Sequence, residues 1–383
     1  MKQLKLKSII GILLSAAVLM PFAPKAEAVS LAGLSAKAAI LIDAKTGAVI
    51  AEKNEKQRLP MASTTKIMSA LLMLESGDLD TQFKVDNNAI MVEGSSMGLC
   101  KDDIVTKRAL CYGMLLPSGN DAANQTAVTL AGSTEKFADM MNNRAKEIGL
   151  KDTNFVTPSG LHDENHYSTA YDMAMLTREA LKNEDFREIC GTKRAKLKFG
   201  NPPYERWLVN SNKLLTMYDS CIGVKTGFTD EAGRCLVSAA EKNGVTLICV
   251  TLNAPDDWND HKKMYDYGFS VSESRQVYFD CSDLRVRTAG GTASDLPVKL
   301  ENIPSYTVIN GREPKITSEI LLPDFVYAPV EKGKTVGKVN FYSDGRLMCT
   351  VNMVAEDGCG AVECEPETSI YDTILEWFKQ LID

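Results

Sequence analysis

The chain has 383 residues, with 43 Lys+Arg against 50 Asp+Glu and a formal net charge of −7. That length exceeds what one hydrophobic core usually serves, so one large unit with a smaller companion is expected. The acidic balance excludes a general nucleic-acid binder, which would need a basic face.

Lys2, Lys5 and Lys7 precede an apolar run from Ile9 to Phe22, and Ala26-Glu27-Ala28 supplies a small-x-small cleavage pattern. Residues 1–28 therefore read as a signal peptide cut after Ala28. Pro21 and Pro24 interrupt the run before it reaches the ~20 apolar residues that span a bilayer, which argues against a retained anchor. Cleavage removes four lysines and one glutamate, taking the formal charge from −7 to −10. Ten cysteines in an exported chain would suit a disulfide framework. Cys235 and Cys249, however, sit inside apolar runs as core residues do. Cys359 and Cys364 are the candidate local bridge, and export into an environment without oxygen could leave all ten reduced.

Residues 38–52 read as two apolar strands around the turn cluster Asp43-Ala44-Lys45-Thr46-Gly47, a β-hairpin. Over 63–74, Ile67, Leu71, Leu72 and Leu74 recur at helical spacing, Pro60 lies just ahead and Gly77 marks a stop, giving a buried helix. Further helices are expected over 121–130, 134–148 and 171–181. Strands follow over 224–228, 235–240 and 245–252, the last two joined through Lys242-Asn243-Gly244, a strong hairpin signal. Beyond about Gly268 the pattern changes to short β-branched segments over 276–279, 305–309 and 338–342. Residues 369–383 place Ile370, Ile374, Leu375, Phe378, Leu381 and Ile382 on one side of a helix, with Asp372, Glu376 and Lys379 on the other. The expected layout is a signal peptide over 1–28, an α/β domain over 29–270, a β-rich domain over 271–366 and an amphipathic helix over 369–383.

Ser63-Thr64-Thr65-Lys66 sets a hydroxyl and an amine three residues apart at a helix start, on one face and within mutual reach. Such a pair can serve as nucleophile and base if burial and a second cation lower the lysine pKa. Ser133-Thr134-Glu135-Lys136 has the same spacing, but there Ser133 reads as an ordinary N-cap. Ser118-Gly119-Asn120 follows Pro117 and reads as a tight loop presenting a hydroxyl and an amide toward a cleft. Lys225-Thr226-Gly227 opens a strand, where Lys225 and Thr226 could hold a carboxylate and Gly227 leaves room for substrate backbone. Lys45-Thr46-Gly47 repeats that spelling inside the first hairpin and reads as a turn.

The three motifs occur in the order Ser-x-x-Lys, Ser-x-Asn, Lys-Thr-Gly, a set shared by β-lactamases and penicillin-binding proteins, with Gly119 where their second motif has Asp. Pro60-Met61-Ala62-Ser63-Thr64-Thr65-Lys66, Leu116-Pro117-Ser118-Gly119-Asn120-Asp121-Ala122-Ala123 and Gly223-Val224-Lys225-Thr226-Gly227 closely resemble the low-molecular-mass D-alanyl-D-alanine carboxypeptidases. Thr157-Pro158-Ser159-Gly160-Leu161 and Tyr167-Ser168-Thr169-Ala170 resemble that family too, so the likeness covers nearly the whole mature chain.

The resemblance implies an antiparallel sheet flanked by helices, with the nucleophile at a cleft between sheet and helical lobe, then a small all-β domain. It implies that Ser63 is acylated, Lys66 takes its proton, and Ser118 relays that proton to the departing D-alanine amine. Asn120 would steady substrate and base; Lys225 and Thr226 would receive the terminal carboxylate. The backbone N–H groups of Ser63 and Phe228 would form the oxyanion hole, donors worth roughly 3–4 kcal/mol each. Phe228 stands where several relatives carry histidine, and Asn212 is placed as a further cleft residue. The implied partners are peptidoglycan stem peptides and, as covalent inhibitors, β-lactams. No cofactor or metal is implied. The terminal helix, with Trp377 and Phe378 at its flank, is expected to lie in the interface at the outer face of the cytoplasmic membrane, although its acidic residues outnumber Lys379.

Other readings fit less well. A β-lactamase needs a second base for deacylation, and Glu205-Arg206-Trp207-Leu208-Val209-Asn210 is one residue too long for the usual Glu-x-x-Leu-Asn loop. A polymerising transpeptidase would carry a sizeable domain ahead of the serine. A zinc peptidase would need more than His162, His166 and His261, and His162-Asp163-Glu164-Asn165-His166 lies in a turn-rich segment. A non-catalytic β-lactam sensor would be expected to carry a spanning helix.

Overall fold

The structure is a computed structural model and describes residues 29–30, 33–363 and 370–382. The expected signal peptide, and the Cys364 partner expected for Cys359, lie outside the described residues. No disulfide joins any of the nine described cysteines, and Cys235 and Cys249 are fully buried in the core.

A six-stranded sheet runs in the order Val29–Ser30, Val49–Lys53, Ala38–Asp43, Val245–Leu252, Gly233–Lys242, Cys221–Thr229. All pairings are antiparallel except that of the first short strand. Every residue of Ala38–Asp43 is buried because helices cover both faces. Ile40 and Ile42 face the helical lobe, whereas Ala39 and Leu41 face Met264 and Tyr265 of the helix Asp257–Val271. The helix Lys66–Glu75 is buried from Lys66 to Leu74, the signature of a central element apolar on all sides. It anchors the helical lobe and is entered through a short 3-10 turn, Ala62–Thr65.

The helices Asn120–Ala131, Thr134–Ile148 and Ala170–Ala180 stand where periodicity put them, and Ser133 caps the second by accepting from Lys136 N. The strand Ser305–Ile309 also matches its expected bounds. The strand expected over 276–279 does not. The strand that pairs with Ser305–Ile309 is Ser272–Gln276, and the ladder ends there because Pro304, next on the opposite strand, has no N–H to return a bond. Val277 and Phe279 are apolar because they pack into the second core, where Phe279 meets Phe341 edge-on at 5.4 Å.

That second core lies under a sheet ordered Ile316–Leu321, Thr335–Ser343, Arg346–Ala355, Asp295–Leu300, Arg285–Ala289, Phe325–Tyr327. The first hairpin turn is more than the plain turn its sequence suggested. Asp43 accepts from Thr46 and, across the junction, from Thr307 Oγ1 at 2.7 Å. Lys45 reaches Ser305, and Arg178 donates to Lys45 O and Leu347 O, so the turn ties the two units together. The chain ends in a helix, Ile370–Ile382, exposing Tyr371, Ile374, Leu375, Trp377, Phe378 and Leu381. No helix among the described residues is long and apolar enough to cross a membrane.

Candidate active site

Ser63 sits on the 3-10 turn, one residue past Ala62, whose φ of +47° bends the chain into the helix. Lys66 opens the helix behind it and is fully buried. Its Nζ lies 2.8 Å from Ser63 Oγ, 2.7 Å from Asn120 Oδ1 and 2.7 Å from Ser159 O. Burial, and then the charge of Lys225, push the Lys66 pKa well below its ordinary value. Lys225 is buried as well, and loss of hydration brings its pKa down to about 7.

Ser118 occupies the turn between the helices Lys107–Leu115 and Asn120–Ala131 at φ +69°, a left-handed conformation that L-residues hold only where surrounding contacts impose it. Gly119 N donates to Gly113 O, and Asn120 N to Ser95 O at 2.7 Å. The Ser118 hydroxyl has no hydrogen-bond partner among the described residues. Asn120 Nδ2 donates to Glu93 O at 2.7 Å, which orients its amide oxygen toward Lys66. An aspartate cannot replace Gly119 without movement, because a Cβ there would stand 2.8 Å from Met97 N.

The strand Cys221–Thr229 forms the edge of the sheet beside the serine. A Cβ on Gly227 would lie 3.0 Å from both Met61 O and Ser63 N. The glycine therefore lets the strand close against the Ser63 turn, a tighter demand than the substrate clearance expected of it. Thr226 Oγ1 lies 2.7 Å from Ser211 Oγ, and Lys225 Nζ donates to Thr226 O at 2.7 Å. Phe228 projects outward, 63% exposed.

Asn212 departs from expectation. It is buried, accepts from Leu214 N at the start of the short helix Leu214–Met217, and makes no hydrogen bond to the Ser63 cluster. Its neighbour Ser211 is the residue of that segment that reaches the cleft. Glu205 pairs with Lys196 on an exposed hairpin and has no contact with the serine, so it offers no second base. His166 Nδ1 accepts from Val156 N and Thr157 N, its Nε2 meets Thr65 Oγ1 at 2.8 Å, and burial lowers its pKa to about 4. His261 is held between Ser238 and Thr251. Among the described residues no group of three His, Cys, Asp or Glu could hold a metal ion.

With this geometry in view, residues 25–256, well over half of the chain, match the family described as D-alanyl-D-alanine carboxypeptidase. The chain belongs to the D-alanyl-D-alanine carboxypeptidase family. As a member it is a serine peptidase, and residues 262–359 of this carboxypeptidase match the C-terminal domain of penicillin-binding protein 5. The carboxypeptidase is 34% identical to D-alanyl-D-alanine carboxypeptidase DacF of Bacillus subtilis over 92% of its own length and 94% of that protein's. It is 31% identical to DacC of Escherichia coli, covering 88% of each chain. Among solved structures it resembles penicillin-binding protein 5 of Haemophilus influenzae with a TM-score of 0.61 at 27% identity, covering 85% of this chain and 98% of that one. The Streptomyces K15 DD-transpeptidase matches 62% of the carboxypeptidase and 98% of its own chain, at 32% identity and a TM-score of 0.59.

Sequence reading missed three contributors to the carboxypeptidase site. Ser159 supplies a carbonyl to Lys66, and Gly160 at φ +82° makes that approach feasible, since a Cβ there would stand 2.0 Å from Ala62 O. Asp121 accepts from Ser96 Oγ and from the N–H groups of Met97, Gly98 and Leu99, fixing the loop beside Asn120. Ser211 is the third. Ser159 and Asp121 lay inside the family-like segments Thr157-Pro158-Ser159-Gly160-Leu161 and Leu116-Pro117-Ser118-Gly119-Asn120-Asp121-Ala122-Ala123, without a role read for either.

Proposed function

We propose that this carboxypeptidase removes the terminal D-alanine of peptidoglycan stem pentapeptides through an acyl-enzyme on Ser63. The observation that carries the reading is the surroundings of Lys66 Nζ. A neutral amine donates two hydrogen bonds and accepts one. Asn120 Oδ1 and Ser159 O can only accept, so they take both N–H groups and turn the lone pair to the Ser63 hydroxyl. Burial and the Lys225 charge, which lower the Lys66 pKa, favour the amine in that form.

Ser63 Oγ attacks the penultimate D-alanine carbonyl while Lys66 takes the hydroxyl proton. Ser118 passes a proton to the departing amine, free D-alanine leaves, and water then cleaves the ester. The N–H groups of Ser63 and Phe228 receive the oxyanion, a role supported by the close seating of Gly227 against Ser63 N. Lys225 and Thr226, with Ser211 beside them, receive the substrate carboxylate. β-Lactams acylate Ser63 because their ring amide mimics the scissile bond. The reaction calls for no metal or cofactor. The catalytic domain ends near Val271, where the helix that covers the first sheet gives way to the strand Ser272–Gln276. The features of residues 1–28 support export, and exposed Trp377 and Phe378 support peripheral attachment of the terminal helix at the outer face of the membrane.

The test is D-alanine release from diacetyl-Lys-D-Ala-D-Ala beside penicillin hydrolysis, for the mature chain and Ser63→Ala. The wild type should release D-alanine and turn penicillin over slowly, and the variant should lose both release and covalent labelling. Labelling at another residue, or fast penicillin turnover without D-alanine release, would overturn the reading.

A further inference from the structure

The exposed hairpin Arg194–Gly200 with Pro203–Val209 has two unlike faces. One packs Phe199 and Leu208 into the main core, and on it Arg206 forms a buried ion pair with Asp103 at 2.8 Å and stacks on Phe199 at 4.2 Å. The other face exposes Trp207 and Val209, each more than half accessible. Arg194 lies 3.7 Å over the Trp207 ring and holds it in place. The outward face carries Arg194, Lys196 and Lys198 against one acid, Glu205, in a chain whose net charge is −7. The pairing of Lys196 with Glu205 at 2.6 Å is solvent-exposed and so readily exchanged for another carboxylate.

This face runs into the cleft. Asn210 N donates to Lys193 O at 3.0 Å, extending the ladder past Val209. Two-residue alternation puts Trp207 and Val209 on one side of the strand, and Ser211, two residues past its end, touches Thr226. Four residues of extended chain separate Trp207 from Ser211 by roughly 13 Å. A stem peptide whose carboxylate rests at Thr226 ends there, and the hairpin face lies beyond that end, where a neighbouring repeat of a polymer can reach Trp207.

We infer that the outward face of this hairpin docks a neighbouring repeat of polymeric peptidoglycan, with a sugar ring on Trp207 and stem-peptide carboxylates on Arg194 and the lysines. This rests on the peptidase reading of the Ser63 site. Three observations specify the occupant: charge opposite to a carboxylate-bearing polymer, an immobilised aromatic surface suited to the C–H face of a sugar, and continuity with Thr226.

The experiment compares Trp207→Ala and Arg194→Ala with wild type on two substrates, diacetyl-Lys-D-Ala-D-Ala and linear, un-crosslinked peptidoglycan strands bearing pentapeptides. KM for the polymer should rise about tenfold in each variant, with kcat/KM for the tripeptide within about twofold of wild type. Added salt should raise the wild-type KM for polymer and leave that for tripeptide unchanged. Equal behaviour of wild type and both variants on polymer, or equal losses on both substrates, would overturn the inference. So would self-association of the wild type that Trp207→Ala abolishes, because the face would then belong to a second copy. Failure of the wild type to release D-alanine from the tripeptide would instead count against the peptidase reading itself.

Discussion

Replacing Lys225 by methionine should remove D-alanine release while stabilising the fold. The side chain is 1% exposed, and its pKa of about 7 in the folded protein compares with an ordinary 10.5. Between those values the unfolded chain holds a proton that the native chain does not, so native stability rises with pH across the window. Below pH 7 both states are protonated and the full cost of burying the charge is present. About 3.5 pKa units at 1.36 kcal/mol each come to about 5 kcal/mol, falling to about 2 kcal/mol at pH 9 and to nothing near 10.5. Methionine removes that cost together with the hydrogen bond to Thr226 O, worth about 1 kcal/mol. The variant should therefore gain about 4 kcal/mol at pH 6, with the gain shrinking steadily above pH 7. Urea unfolding of both proteins at half-unit steps from pH 6 to pH 10 reads this, because titrating groups away from Lys225 cancel in the difference and Lys66, relieved of the Lys225 charge, adds to the gain. A variant less stable than wild type, or a gain independent of pH, would mean that Lys225 is not held as a costly buried cation.

Gly227→Ala puts a methyl 3.0 Å from backbone atoms of the Ser63 turn and should lower kcat/KM by about 10²–10³-fold at a stability cost of only about 1–3 kcal/mol. Penicillin acylation at the wild-type rate would show that the strand need not seat so closely. Asp121→Ala takes the acceptor from the buried N–H of Met97 and from the partly buried N–H groups of Gly98 and Leu99, of which Gly98 keeps Ser96 Oγ, and should cost roughly 2–4 kcal/mol in denaturant unfolding. A loss under about 1 kcal/mol would mean the loop holds itself. Thr307→Val removes the bond to buried Asp43 and should cost about 1–3 kcal/mol, seen as earlier separation of the two units in protease sensitivity around Val271. Unchanged sensitivity would assign their docking to other contacts.

Periodicity was enough to place the helix Thr134–Ile148 and the strands Val245–Leu252 and Ser305–Ile309, because each buries a face whose spacing repeats along the chain. Asn-Gly between apolar runs likewise located the hairpin at Asn243. Periodicity misread 276–279, where alternation reports burial against Phe341 and strand pairing is stopped by a proline 28 residues further on.

At the site, the sequence by itself named Ser63, Lys66, Ser118, Asn120, Lys225 and Thr226, since side-chain chemistry and motif order are local properties. It could not show that Lys66 Nζ meets two pure acceptors and a single hydroxyl, because Asn120 and Ser159 arrive 54 and 93 residues away. Nor could it choose Ser211 over Asn212, a matter of which of two adjacent side chains faces Thr226 and which turns inward to accept from Leu214 N. The repeated Lys-Thr-Gly shows the same division. One copy edges the cleft and the other joins the two units, because the strands around them close against different neighbours. Composition and spacing determine what a side chain can do, and packing across long sequence separations determines which groups it meets and whether it carries charge.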